Sequence, residues 1–490
     1  MALRRVLLAV ACMAAAVVLP ASDAAAVKAK DHIQHKIRAG EVAVHSVNLG
    51  SWLVAEYWMS FDSPLWEGVP ENVARTGEYG VMKFLGKEKG TKNFENHWST
   101  WIVEKDIEDI ANAGLNTVRV SIGYWIVNDE DDSKSSDVSK TFAKGGLRYL
   151  DTLINKWAVK YNVAVMISLH AHEGSQNGLD HSAPVEMWKT QWSDKPENVQ
   201  SSMLVATFIA KRYKNSPAFL GLNLMNEPTN PVNYGVLEKY YKDAYKSIRE
   251  TGNDCIIATS PWLQHQSPEF MGDFMVCPEY YNVWHEFHVY YKWGWEHAPK
   301  ESVFSEAAKY RDNHIAPWKG NPLFIGEWSL ATADSLSLSD DDLSKFADIQ
   351  MKAYDDAGAG WAFWAYRHSE DANKTSGWSM RQLLKKNLIK VPTNTALNAN
   401  VPSRTKHVSC APARNATSED SASASGSGSA AGNVKPETLF TPEHVTAANT
   451  DDANVTSPPK ATEAPKSAAS TPIAAAASAL SVAVAVAAWW

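Results

Sequence analysis

Eight short apolar runs, separated by longer amphipathic stretches, constrain this chain more than any other feature. They are VAVHSVNLG, LNTVRVSIGYW, VAVMISLHAH, FLGLNLMNEP, CIIATSPW, VWHEFHVYY, PLFIGEWS and GWAFWAYR; they begin at Val42 and reach Tyr366. Most are almost continuously apolar, as strands are when a parallel sheet is buried on both faces. The intervening stretches carry a helical period. In EKDIEDIANAG, Ile107, Ile110 and Ala111 share a face and Gly114 offers a C-cap. LRYLDTLINKWAVKYN and ADIQMKAYDDAGAG read the same way. Eight strand–helix units predict an α/β fold, a (β/α)8 TIM barrel with insertions. A doubly wound open sheet is the alternative, but no glycine-rich dinucleotide fingerprint follows the first run.

In such a barrel the functional site lies at the C-terminal ends of the strands. Polar residues gather there. Run two carries Arg119, run three closes near His170, and run four closes on Asn226 and Glu227. Run six carries His288 and Tyr290, run seven Glu327, and run eight Trp364. Any one of them alone is more often structural, an arginine paired with a carboxylate or a histidine satisfied by a neighbour. Polar groups inside apolar strands are costly unless paired, so their gathering at one face points to a site. Glu227 and Glu327 are the two carboxylates. Cleaving a glycosidic bond needs one acid to protonate the leaving oxygen and one carboxylate to attack or stabilise the anomeric carbon. Strands four and seven lie on roughly facing sides of an eight-stranded barrel, so both can reach one cleft. Their separation, which decides between retention and inversion, is not written in the sequence.

These segments resemble glycoside hydrolase family 5, and within it the fungal-type exo-β-1,3-glucanases (glucan 1,3-β-glucosidases). The resemblance runs from Val47 to Tyr366, through VNLGSWLVAEYW, LNTVRVSIGYW, LHAHEGSQNGLD, LNLMNEP, HVYYKW, FIGEWS and GWAFWAYR in order. It implies Glu227 as acid/base and Glu327 as the nucleophile of a retaining double displacement. It implies Asn226 on the sugar 2-hydroxyl, His288 and Tyr290 orienting the carboxylates, and Arg119 keeping Glu327 ionised. His170, Glu56 and Asp180 would bind hydroxyls of the terminal glucose, with Trp364 as the floor of that subsite. Trp293 would keep one half of an aromatic clamp on the next sugar. Three departures stand out: Ser168 replaces an acid, His172-Glu173 replaces a small residue and a proline, and Leu179 replaces the clamp's other aromatic. The implied reaction is release of glucose from the non-reducing ends of β-1,3-glucan. An endo-glucanase, a β-1,6-glucanase, a transglycosylase or a non-catalytic glucan-binding wall protein remain as alternatives.

Composition narrows the partners. A formal net charge of −8 argues against nucleic acid. Twenty Trp against 14 Phe suit sugar stacking, although tryptophan is also core material. No Cys/His cluster has zinc spacing and no phosphate loop is visible, so no metal or cofactor is expected. Residues 1–26 read as a secretory signal peptide, with Arg4 and Arg5 ahead of an apolar stretch and Ala24 to Ala26 as cleavage sites. Residues 27–400 form the expected catalytic domain. Residues 401–470 are a Ser/Ala/Thr-rich segment expected to be a disordered, glycosylated stalk. Residues 471–490 are an apolar tail, read as a GPI-attachment signal or else a retained membrane helix. Secretion and surface anchoring follow, with the chain a monomer. Asn373, Asn415 and Asn454 head N-glycosylation motifs. Cys255 opens strand five and Cys277 precedes strand six, so adjacent strands are expected to bring them within bridging distance, leaving Cys410 free.

Overall fold

The computed structural model describes residues 29–372 and 375–392. The signal peptide, the stalk, the tail, Cys410 and all three N-glycosylation asparagines lie outside the described residues. Among those described, no helix is long and apolar enough to cross a membrane.

Eight parallel strands close into a barrel in sequence order. They are β1 (Val44–Asn48), β2 (Thr117–Gly123), β3 (Ala164–Ala171), β4 (Phe219–Asn223), β5 (Ile256–Thr259), β6 (Val283–Tyr291), β7 (Leu323–Thr332) and β8 (Gly360–Phe363). The barrel closes through β1 and β8, with Val44 beside Gly360 and Val47 beside Phe363. Every residue of β1 to β5 and of β8 is buried, which explains why those runs lack a polar alternation. Helices Pro196–Arg212, Tyr234–Glu250, Lys300–Tyr310 and Asp340–Tyr354 pack outside. The β5–β6 connection departs from the repeat. Among the described residues it holds a single 3-10 turn, Leu263–His265, and no α-helix.

The barrel interior has an apolar floor. Val44, Met166, Leu220, Ile256, Trp284 and Phe324 cluster there with Ile37 from the short helix Ile33–Arg38. Above the floor the interior turns polar, and β6 shows the transition in one line. Trp284 sits in the floor, and Glu286, His288 and Tyr290 follow at two-residue steps along the same face. Their alternates Val283, Phe287, Val289 and Tyr291 join the outer core. On β7 the alternation is reset. Counting by twos from Phe324 would send Glu327 outward with Ile325. The irregular pairing with β8 between Ile325 and Trp328 breaks that phase, and Glu327 turns inward.

The expected Cys255–Cys277 bridge does not form. Cys255 is a free, buried thiol at the start of β5, while Cys277 is disulfide-bonded. Its partner is not among the described residues, and burial pushes the Cys255 thiol up. Cys277 sits in the long helix-free β5–β6 connection rather than on a strand beside Cys255, so strand adjacency does not bear on the pair.

Candidate active site

Arg119 is the centre from which the site is built. It rises from β2, is fully buried, and touches four elements. Nη1 donates to Asn48 Oδ1 at the end of β1 and to Glu327 Oε1 on β7, both at 2.9 Å. Nη2 donates to Asn226 Oδ1 at 2.8 Å and lies 2.7 Å from Glu286 Oε1. A planar five-donor group can hold this many acceptors in fixed directions, which an ammonium cannot. Asn48 in turn donates to the carbonyls of Gly326 and Phe363.

The two carboxylates face each other with His288 between them. One oxygen of Glu227, one oxygen of Glu327 and one ring nitrogen of His288 lie within 4.8 Å of one another. Glu227 Oε1 is 2.7 Å from His288 Nδ1, and Glu327 Oε2 is 3.4 Å from the same nitrogen. Tyr290 donates its hydroxyl to Glu327 Oε2 at 2.8 Å. Glu227 follows the end of β4 with φ at 45°, in the left-handed region that a glutamate rarely occupies. Its backbone is held there: its carbonyl accepts from Asn177 at 3.2 Å, and Gln176 Nε2 ties the carbonyls of His170 and Asn226 together, each at 2.8 Å.

Burial and charge divide the protons. Burial disfavours the charged imidazole of His288, but the Glu327 charge and the bonds to Glu227 and Glu286 outweigh it and push its pKa up to about 10. Burial pushes Glu227 up, but the bond and charge of His288 prevail and hold it down at about 2. Glu327 is raised by burial and by the Glu227 charge, against the pull of His288 and Arg119. The cluster therefore titrates as a unit, its proton resting on His288.

Around this centre stand polar atoms with no partner of their own. The Asn226 Nδ2, His170 Nε2 and Glu56 Oε1 atoms are buried and unbonded. Burial holds His170 well below its ordinary value, hence neutral, and its ring stacks on Trp364 at 5.5 Å and 3°. Glu56 is buried, accepts from Trp58 Nε1 at 2.8 Å, and is raised by burial and by the charge of Asp180. Trp293 packs edge-on against Tyr290 at 5.4 Å.

Each substrate-binding residue expected from the sequence therefore belongs to this one region. Of the departures, Ser168 hydrogen-bonds His170 Nδ1 at 3.2 Å, and His172 is satisfied in the core by Ser202 and the Leu169 carbonyl. Several residues were not anticipated: Asn48, Gln176, His181, Glu286, Trp58 and Trp378. His181 Nε2 lies 3.7 Å from Glu227 Oε2, and Trp378 packs on both Trp58 and Trp293. For Glu286 a signal existed, since Glu286, His288 and Tyr290 fall at i, i+2 and i+4 of one run.

A (β/α)8 barrel with two facing carboxylates at its C-terminal mouth, Glu327 buried and Glu227 partly exposed, rimmed by aromatics and unbonded polar atoms, is the architecture of a glycoside hydrolase. Residues 82–370 match the family model described as Cellulase (glycosyl hydrolase family 5), and the chain belongs to that family. It is similar to glucan 1,3-beta-glucosidase of Yarrowia lipolytica, 29% identical over 412 residues, covering 72% of this chain and 90% of that one. Glucan 1,3-beta-glucosidase 2 of Wickerhamomyces anomalus is 32% identical over 309 residues, covering 59% of this chain and 66% of that one. Among solved structures, rutinosidase from Aspergillus niger superposes with a TM-score of 0.61 at 17% identity, over 72% of this chain and 99% of that one. That likeness concerns the fold alone.

Proposed function

We propose that the protein is a retaining exo-β-1,3-glucanase that releases glucose from non-reducing chain ends, with Glu327 as nucleophile and Glu227 as acid/base. The observation that carries the reading is the gap between the carboxylates. One oxygen of each lies within 4.8 Å of the other, in keeping with the spacing of about 5–5.5 Å at which the second carboxylate attacks directly and short of the about 6.5–9.5 Å of an inverting pair. The relatives named glucan 1,3-beta-glucosidase support the glucan as substrate.

The donors around each carboxylate support the division of roles. Glu327 accepts from Arg119 and Tyr290, groups that stabilise an anion without giving up a proton. Glu227 accepts from His288, whose proton can cross a 2.7 Å bond. In the first step Glu327 attacks the anomeric carbon while Glu227 protonates the departing oxygen, which leaves a glycosyl ester and a free aglycone hydroxyl. In the second, Glu227 takes a proton from water, the hydroxide displaces Glu327, and glucose leaves with its configuration retained. Asn226 Nδ2, which has no partner within the protein, is the donor for the sugar 2-hydroxyl. His170, Glu56 and Asp180 hold the outer hydroxyls, over the Trp364 ring. The basic and apolar start of the sequence and its apolar last residues support a secreted enzyme held at the cell surface.

Azide tests the roles. With an activated aryl glucoside, Glu327→Ala plus azide should give the α-glycosyl azide, and Glu227→Ala plus azide the β-anomer. Exchange of these products would reverse the assignment. Product profiling on β-1,3-, β-1,4- and β-1,6-glucans tests the substrate: glucose alone from the β-1,3 polymer is expected, and mixed oligomers would mean endo action.

A further inference from the structure

Glu286 has no part in the double displacement, yet it is the most enclosed carboxylate in the cleft. It is fully buried one step below His288 on β6. Its Oε1 lies 2.7 Å from Arg119 Nη2 and 3.2 Å from His288 Nε2, and its Oε2 accepts from Asn223 Nδ2 at 2.6 Å. Space is made for it: a Cβ on Gly326 would stand 2.0 Å from Glu286 Oε1. Both nitrogens of His288 thus face only carboxylate oxygens, Glu286 at Nε2 and Glu227 and Glu327 at Nδ1. A ring so placed carries a hydrogen on each nitrogen. We propose that Glu286 is a positioning residue that locks His288 with its Nδ1–H aimed at Glu227, making the imidazole the store for the proton that Glu227 delivers.

The step balances. The Nδ1 proton passes to Glu227 Oε1 and leaves a neutral imidazole whose Nε2–H still bonds Glu286. Glu227 gives that proton to the leaving oxygen, recovers one from water in the second step, and returns it to His288. The groups that bear on this proton are Arg119 from β2, His181 from the loop after β3, Glu227 after β4, Tyr290 on β6 and Glu327 on β7, with Tyr241 close enough to feel the charge of Glu286.

This proposal rests on Glu227 as the acid, and two readouts separate the two. Glu286→Gln keeps the shape and removes the charge. The His288 imidazole, followed by nitrogen NMR, should lose its proton at least about one pH unit earlier, as expected when a contacting opposite charge is lost. The basic limb of kcat/KM should fall by the same amount, with KM for glucan unchanged. Glu286→Asp should restore part of both shifts, which a purely structural role would not do, and it covers the case in which the glutamine variant folds poorly. An unmoved His288 titration overturns the proposal. A moved titration with an unmoved activity limb upholds the lock on His288 and overturns the imidazole as the proton store, whereas the azide products alone decide whether Glu227 is the acid.

A different observation carries a second inference. Trp188 adopts φ of 68°, costly for a bulky side chain, and its ring is half exposed at 48%. The strain is held by close contact. Trp188 N donates to the Gly178 carbonyl at 2.8 Å, and a Cβ on Gly178 would meet the Trp188 backbone at 2.8 Å. Gly178 lies between Asn177, which bonds the Glu227 carbonyl, and Leu179, where a clamp aromatic is missing. We infer that Trp188 is a stacking platform for a pyranose ring of the glucan chain beyond the first acceptor sugar. Trp188→Gly separates strain from function. It should leave the melting temperature unchanged or raised, while KM rises about 5- to 10-fold for laminarihexaose, a loss of about 1 kcal/mol. KM for laminaribiose should not move. An equal change on both substrates, or none on the longer one, overturns the platform. If the unaltered enzyme ignores both, the glucan reading falls and the platform with it.

Discussion

Asn226 shows how one residue serves two ends of the same network. Its Oδ1 is occupied by Arg119 at 2.8 Å, which fixes the amide so that Nδ2 is left without a partner inside the protein. A buried amide hydrogen without an acceptor is costly, and a sugar hydroxyl relieves that cost when it binds. If Asn226 holds the 2-hydroxyl as proposed, that contact strengthens in the transition state, and Asn226→Ala should lower kcat/KM by about 100-fold or more with the loss mainly in kcat. Steady-state kinetics on an aryl glucoside checks this, and an effect confined to KM would assign the amide to ground-state binding. The pH profile follows from the same cluster. As the proposed nucleophile Glu327 has to be ionised to attack, and its pKa is raised by burial and Glu227. Activity should therefore be lost as pH falls through a value above that of an ordinary glutamate, and be full above it. Replacing Tyr290 with Phe removes a donor to the anion, so it should move this acid limb further upward in a kcat/KM–pH titration.

At the level of the elements, β6 and β7 do most of the positioning. His288 pairs in register with Glu327, and both strands carry an irregularity beside those residues. The acid run of β6 was readable by its two-residue step, whereas the inward turn of Glu327 was not, because a strict alternation sends it to the other face. Only the broken pairing between Ile325 and Trp328 brings it to Arg119. Gly326 is the point at which the two strands approach, with Glu286 Oε1 occupying the space of its missing Cβ. Gly326→Ala should therefore displace Glu286 or Glu327 and lower kcat by about 100-fold, the scale expected for a shift of about 1 Å in a catalytic group. The melting temperature and kcat measured together distinguish this local displacement from general unfolding. The β5–β6 connection was read as a strand–helix unit like the others, and it holds no α-helix among the described residues. The Cys255–Cys277 expectation failed in the same place, since it relied on adjacent strands to bring together the opening of strand five and the residues before strand six.

Taken whole, the molecule keeps several ionisable groups far from water, and one outside the cleft, Glu78, contributes to its response to pH. Glu78 is buried at the start of the helix Glu78–Leu85, and its only bonded oxygen accepts from the Ala55 amide at 2.8 Å. Burial pushes it up to about 8. A carboxyl whose folded pKa is raised contributes fully below its unfolded value near 4.5, and its contribution is lost as pH rises through the folded one. Thermal stability should therefore fall between about pH 5 and 8, by up to about 1.4 kcal/mol per pH unit from this group. Glu78→Gln should flatten that slope in melting curves taken across the range. The sequence by itself determined the barrel, because strands buried on both faces must be apolar and must alternate with amphipathic helices. It also determined which polar residues close those strands, because such residues have no structural reason to recur at one end. Only the tertiary structure decided the separation of Glu227 and Glu327, the inward turn of Glu327, the place of Glu286 behind His288 and the separation of Cys255 from Cys277. Those depend on breaks in strand pairing and on long-range charge contacts, which arise when distant segments meet and leave no period in the chain.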